Sequence, residues 1–316
     1  MMTGATAATT PSHISPPPQR KRRFNARTTL TIFGFFAPAV LFVAVFTYYP
    51  MLRGSQMAFR NWNLTNLSDT SWVGLQNFRD LAATPEFGTI VRNTLIWVFG
   101  SLTPQVLIGL AIALLLKRRF RGRGIYQAFL FFPWAVSGFL IGMLFRWMFN
   151  SEFGVINDLL GKAGLIERPI PWLADPAWAM AAVVIANIWY GVTFFAIMIL
   201  AALQSVPDEL YEAAALDGAG RIRSFWSITL PSIAVTLALA ILLRIVWIFN
   251  FPDIIFAMTG GGPANQTHTI NTYMIKVTQD GNYGLASALG LIVMVTLLLF
   301  SAFYLMALRR TRREPV

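Results

Sequence analysis

Asp208-Glu-Leu-Tyr-Glu-Ala-Ala-Ala-Leu-Asp-Gly-Ala-Gly220, running on to Ile228-Thr-Leu-Pro231, is a short acidic and alanine-rich segment set between long apolar runs. Glu209, Glu212 and the alanines 213 to 215 favour a helix, and acids near its start suit the positive end of the helix dipole. Ser205 with Asp208 fits a capping box, and Pro207 is compatible with a first helical turn. Gly218 and Gly220 stop the helix, and a new helix is expected to enter the membrane near Leu230 and Pro231. A plain turn between two spans needs only a few residues, whereas about 25 are used here. Small side chains let another helix or a groove approach closely, so the segment reads as a docking surface.

The runs on either side decide the fold class. The 316 residues are 56% hydrophobic and 12% charged, against roughly 25% charged in a soluble domain. Mean hydropathy is +0.57. A membrane-spanning helix needs about 20 apolar residues, and six stretches qualify: 30–50, 90–116, 125–148, 177–203, 228–250 and 283–308. Arg244 makes the fifth the least apolar in pattern. The expected fold is all-α, a polytopic protein with six transmembrane helices.

Basic residues orient the spans. Sixteen lie in the tail 20–27, the loop 117–123, the loop 204–227 and the C-terminus 309–313, while six lie in the alternate loops. The positive-inside rule therefore puts both termini and the segment at 208–231 in the cytoplasm. This alternation holds for six spans and fails for five or seven. Residues 1–29 read as a disordered basic tail and 309–316 as a basic cytoplasmic end. The apolar run that begins at Leu30 is too long for a signal core of about 7 to 15 residues and ends without a small-x-small cleavage site. It is expected to be an uncleaved span.

Several classes of chemistry are excluded. With no cysteine and only His13 and His268, neither a thiolate site nor a histidine metal cluster is expected. The net charge of +11 is explained by membrane topology, and no basic-aromatic pattern supports nucleic-acid binding. Gly161-Lys162 lacks the glycine and hydroxyl residue of a phosphate-binding loop, so no nucleotide site is expected on this chain. Trp62, Trp72, Trp172 and Trp178, in or beside the long outer loops, read as an interfacial aromatic belt.

Polar residues and prolines within the spans carry the remaining information. Pro104 lies mid-span with Gln105, and Pro133 lies in the third span. Asn187 with Trp189-Tyr-Gly191, and Asn250 with Trp247 and Asp253, place polar groups at bilayer depth. Such groups face a cavity or bond a partner helix. Arg244 lies one turn before Trp247 and has two readings. Its guanidinium suits a phosphate, or it pairs with an acid of a neighbouring subunit or makes a contact on the ATP side.

The segment at 208–231 resembles the EAA loop of ABC-importer permeases, most closely the maltose permease type that carries oligosaccharides and glycerol phosphates. The family pattern is E-A-A, three residues, a glycine, then I-x-L-P, and Glu212-Ala-Ala214, Gly218 and Ile228-Thr-Leu-Pro231 follow it without gaps. Tyr48-Tyr-Pro50, Val73-Gly-Leu-Gln-Asn-Phe78, Arg121-Gly-Arg-Gly124, Phe132-Pro-Trp134 and Thr259-Gly-Gly-Gly-Pro263 agree with it.

The resemblance implies a type I ABC-importer permease fold in a bacterial inner membrane. It implies a second permease in a heterodimer, two ATPase subunits that hold the ATP and magnesium, and an extracytoplasmic sugar-binding protein. This chain itself would bind no cofactor and catalyse no reaction. Glu212, Ala213, Ala214, Asp217, Gly218, Leu230 and Pro231 are the implied coupling residues. The implied substrate path comprises Asn187, Tyr190, Gly191 and Phe194 on one span, with Phe249, Asn250 and Asp253 after another. Arg244 and Trp247 join them from the residues alone. For Phe194, simple packing between helices is an equal alternative.

The expected function is sugar uptake. The alternatives are an ion-gradient-driven secondary transporter and an ABC importer for glycerol 3-phosphate or a related phosphodiester. The first would want paired intramembrane carboxylates or broken helices in two repeated halves, and the spans contain no acid.

Overall fold

The apolar runs are helices in the computed structural model, which describes residues 26–66, 68–118 and 120–311. The tail through residue 25, expected to be disordered, and residues 312–316 lie outside the described residues. Two units divide the chain, one through Leu52 and one from Arg53 onward. In the first, α1 (Ala26–Val43) passes through a π-helical turn, Ala44–Tyr48, into α2 (Tyr49–Met57). That turn ends two residues before Pro50, which has no N–H to donate and crowds the turn before it. The span expected at 30–50 therefore continues to Met57. Its side chains from Phe33 to Leu52 are all exposed, as suits a helix that is apolar all round.

In the second unit, α3 (Gln76–Ala83) precedes α4 (Phe87–Lys117). Pro104 lies within α4 without breaking it. The third span departs from expectation. Instead of one helix over 125–148, α5 (Arg123–Phe131) meets a 3-10 turn, Phe132–Ala135, and then α6 (Gly138–Met148). The two helices are bent by 100°. Pro133 removes a donor and disfavours helix before it, while the Ser137 hydroxyl caps α6 by accepting from Leu140 N at 3.3 Å. The six expected spans are thus five long apolar helices and one bent pair.

After the short α7 (Val155–Lys162), α8 (Pro176–Gln204) packs along much of α4. A side chain at Gly109 would collide with Phe195 and the backbone of Ala196, so the close approach of this pair depends on that glycine. The docking segment forms α9 (Asp208–Leu216), followed by α10 (Arg221–Ser224), a π turn at Phe225–Thr229 and α11 (Leu230–Phe249). The helix therefore restarts at Arg221, ahead of the expected entry near Leu230, and runs unbroken through Arg244. Ser205 does not form the expected capping box. It ends α8, its hydroxyl donates to Ala202 O at 2.8 Å, and Pro207 precedes α9 without a side-chain cap.

Three further helices follow: α12 (Asp253–Met258), α13 (Ile270–Gln279) and α14 (Tyr283–Thr311), the last a long span. Helix α12 packs against α6, and α13 against α14. Among the tryptophans expected in an aromatic belt, Trp172 is buried and donates to Asn157 Oδ1 at 2.8 Å. It anchors the loop before α8 to α7, because a buried indole N–H needs a partner. Trp72 and Trp178 are exposed.

The loop from Thr259 to Thr269 is clamped to the start of α4. Asn93 Nδ2 donates to His268 O at 3.2 Å, and Ile270 N donates to Thr94 Oγ1 at 2.9 Å. The His268 ring lies against Gly261, edge-on to Tyr273, with Nδ1 3.2 Å from Thr272 Oγ1. Burial, with a smaller push from the Lys276 ammonium, lowers its pKa to about 4. The unfolded chain thus binds this proton below about pH 6.5, while the folded chain resists it until about pH 4. The stability contribution is complete above pH 6.5 and falls as pH drops through that window. The thermal midpoint of the detergent-solubilised chain should show this fall, and His268→Asn should lessen it. An unchanged slope in the variant would show that His268 does not set the dependence.

Candidate functional site

Two helix breaks face one another within the span region and leave a cavity of about 480 Å³ lined by Trp134, Tyr190, Arg244, Trp247, Asn250 and Phe251. Trp134 comes from the turn between α5 and α6, Tyr190 from the middle of α8, and Asn250 and Phe251 from the break after α11. Irregular backbone at membrane depth survives only where its polar groups find partners. Both breaks meet this requirement with side chains from α4 and α8. Pro252 has no N–H to donate, and Ile248 O accepts from Phe251 N at 3.3 Å and from Trp97 Nε1 at 2.9 Å. The turn at Pro133 ends the α5 ladder, and Thr193 Oγ1 donates to Leu130 O at 2.8 Å.

The walls are largely aromatic. Tyr190 stacks on Phe251 with ring centroids 5.3 Å apart and planes at 10°. Trp134 lies 6.4 Å from Trp247, and Phe194 backs Trp247 at 5.3 Å. Such faces suit the apolar side of a pyranose ring, and the exposed Asn250 side chain adds amide groups. Its Nδ2 donates to Val246 O at 3.0 Å, which closes the end of α11.

Arg244 contributes the charge. Only 3% of the residue is exposed. Its Nε donates to Gln105 Oε1 at 2.9 Å and its Nη2 to Asn187 Oδ1 at 3.3 Å. Gln105 Nε2 in turn donates to Asn187 O at 2.8 Å. Three helices, α4, α8 and α11, are thereby joined by one polar triad. Within this chain Arg244 is paired with amides of α4 and α8, while the expected acid belongs to a neighbouring subunit. Gly191 makes the pairing with amides possible, since a Cβ there would collide with the guanidinium and with Gln105.

At the other end, α9 presents Glu212 and Ala213 to solvent, with Ala214 half-buried. Its end is a Schellman motif: Ala219 N donates to Ala214 O at 2.8 Å and Gly218 N to Ala215 O at 3.1 Å. Gly218 adopts φ +78°, which a glycine takes without strain. Asp217, the residue before it, is exposed. Tyr211 ties α9 to the spans, its hydroxyl 3.0 Å from Thr229 Oγ1 and its ring 4.0 Å beneath Lys117 Nζ. Leu230 and Pro231 form the first turn of α11.

Of the substrate-path candidates, Tyr190, Arg244, Trp247 and Asn250 line the cavity, while Asn187, Gly191 and Phe194 support it from behind. Phe249 and Asp253 are not brought there. Phe249 packs among the buried apolar side chains of the helices, and Asp253 opens α12 as an exposed residue. Trp134, Phe251 and Gln105 were missed as site residues. A proline beside an aromatic and a mid-span glutamine were the signals that could have found them.

An aromatic cavity between broken helices, joined by long apolar helices to the exposed α9, is the arrangement of a multi-pass membrane permease. The chain belongs to the family of binding-protein-dependent transport system inner membrane components, whose model matches residues 105–313. It is 34% identical over 277 residues to the trehalose/maltose transport system permease protein of Thermococcus litoralis, covering 88% of this chain and 92% of that one. It is 34% identical over 274 residues to the sulfoquinovosyl glycerol transport system permease protein of Agrobacterium fabrum, covering 86% and 88%. A chain of the bacterial alginate ABC transporter, in complex with alginate pentasaccharide-bound periplasmic protein, matches with TM-score 0.79 and 26% identity, covering 92% and 98%.

The triad at Arg244 predicts that Gly191→Ala is disproportionately harmful for so small a change. Displacing the guanidinium and Gln105 in a packed interior should cost about 1–3 kcal/mol. A lowered thermal midpoint with normal membrane insertion is the expected result, and wild-type stability would contradict the packing described.

Proposed function

We propose that this chain forms one half of the saccharide path of an ATP-driven importer. A second permease completes the path, two ATPase subunits engage α9 from the cytoplasm, and an external binding protein delivers the sugar. Both termini then lie in the cytoplasm, in keeping with the basic residues. ATP and magnesium stay on the ATPases. The observation that carries the reading is the aromatic cavity between two broken helices at one end and the exposed α9 at the other. The saccharides in the names of the relatives support it.

Glu212 offers an ATPase groove a charged contact, Ala213 and Ala214 allow close packing, and the turn at Gly218 sets the angle of α9. Closure of the ATPases on ATP would move α9, and Tyr211 would carry that movement to Thr229 and Lys117. The transporter would shift between two states biased by what each contacts best. Tyr190, Trp247, Trp134 and Phe251 would stack on the sugar, and Asn250 would bond its hydroxyls.

A phosphate-bearing cargo, glycerol 3-phosphate or a related phosphodiester, is favoured by one observation: Arg244 lines the cavity. Its Nε and Nη2 already serve Gln105 and Asn187, which keeps the neutral sugar as the first reading. An ion-gradient transporter has the broken helices in its favour but no acid among the cavity-lining residues.

Proteoliposomes holding the chain with its co-purifying subunits separate these readings. Uptake of a di- or oligosaccharide should require ATP. Glu212→Ala and Gly218→Pro should each lower it on the order of 10-fold, about 1.4 kcal/mol of coupling, with normal insertion. If both variants transport normally, α9 is not the coupling helix. Uptake that survives without ATP and collapses with an uncoupler would favour the ion-gradient reading.

A further inference from the structure

A groove beside α9 is left unused by the transport reading. Its volume is about 790 Å³, within the roughly 300–1,000 Å³ range of small-molecule sites. Lys117 lies in the last turn of α4 and Arg118 follows it, Arg221 and Ile222 come from α10, and Phe225 and Trp226 from the π turn. Three cations line this groove and no carboxylate does. The ion pair found among the described residues is Lys162 with Asp158, on α7, so none of these cations has a carboxylate partner there. Lys117 is held over the Tyr211 ring, which leaves its ammonium donors free of any acid.

The apolar side of the same groove is open. Ile222 is 78% exposed and Trp226 63% exposed. Such side chains are unfavourable in water and favourable at a bilayer surface, where indole rings settle at headgroup depth. Cations at a helix end, next to an apolar wall, match the phosphate and acyl levels of one leaflet. An acidic protein segment would meet the cations but would leave the apolar wall uncovered.

From this combination we infer that the groove holds an acidic phospholipid, its headgroup phosphate between Arg118, Arg221 and Lys117, its acyl chains along Ile222 and Trp226. The leaflet is the cytoplasmic one if the orientation proposed above is right; the binding itself does not depend on that orientation. The lipid would brace α9 against α4, because Lys117 and Tyr211 belong to both the groove and the strap that ties α9 to the spans.

Native mass spectrometry tests this on the chain purified with its co-purifying subunits and supplied with equal phosphatidylglycerol and phosphatidylcholine. Phosphatidylglycerol should be retained on the order of 10-fold more, given the strength of cation contacts near an anionic surface. Arg118→Gln combined with Arg221→Gln should remove that preference. Both residues are exposed, so the fold should survive, and an unchanged thermal midpoint checks it. Trp226→Ala, which keeps the charges, should lower retention of both lipids. Equal retention of the two lipids by the wild type overturns the inference, as does a preference that survives in the double variant. Displacement by excess inorganic phosphate would mark a simple anion site, and lipid that binds only once the co-purifying subunits are stripped away would give the groove to a protein partner. Lipid retention that persists where ATP-driven uptake fails would count against the transport reading and leave this one standing.

Discussion

Inside a bilayer an unpaired carbonyl has no water to bond, and this requirement governs how the second unit can be built. Pro133 and Pro252 lie at breaks in two spans, and neither has an N–H to continue the helical ladder. Thr193 and Trp97 add side-chain donors from α8 and α4 to the carbonyls of Leu130 and Ile248. With them, the chain can leave regular helix at two facing places, and the space between becomes the cavity. The close pairing of α4 and α8 is therefore the scaffold on which the irregular parts rest.

The triad of Gln105, Asn187 and Arg244 obeys the same rule with a charge. A guanidinium at this depth is expensive unless it is fully hydrogen-bonded. The two amides hold it at the cavity wall, one from each helix of the scaffold. Bringing three helices to one bonded point also limits how they can slide past one another. Movement of α4, α8 and α11 is then more naturally a joint tilt than three separate motions.

The same helices reach the docking end. From Gln105 to Lys117 along α4 is about 18 Å at the usual helical rise, so one rigid element spans the distance from cavity to strap. Thr229, at the foot of α11, meets Tyr211 in the same way. A displacement of α9 would be received by the elements that line the cavity. This mechanical continuity, more than any single contact, is what the proposed coupling needs.

Hydropathy and short motifs settled much of this in advance, because they are local properties. The run lengths located the spans, and the alanine helix with its stop at Gly218 could be read residue by residue. The quoted motifs carried the family resemblance. What the one-dimensional pattern could not show was which polar groups meet. Gln105 and Arg244 stand 139 residues apart, and Trp97 and Ile248 stand 151 apart. Trp134 and Phe251 read as ordinary aromatics of apolar runs until two breaks turned toward each other. Ser205 looked like a cap because its spacing allowed one, but the preceding helix took its hydroxyl first. The spans follow from side-chain solubility, which each residue carries with it. The cavity follows from how distant helices satisfy one another's backbone and charge, which only packing in three dimensions decides.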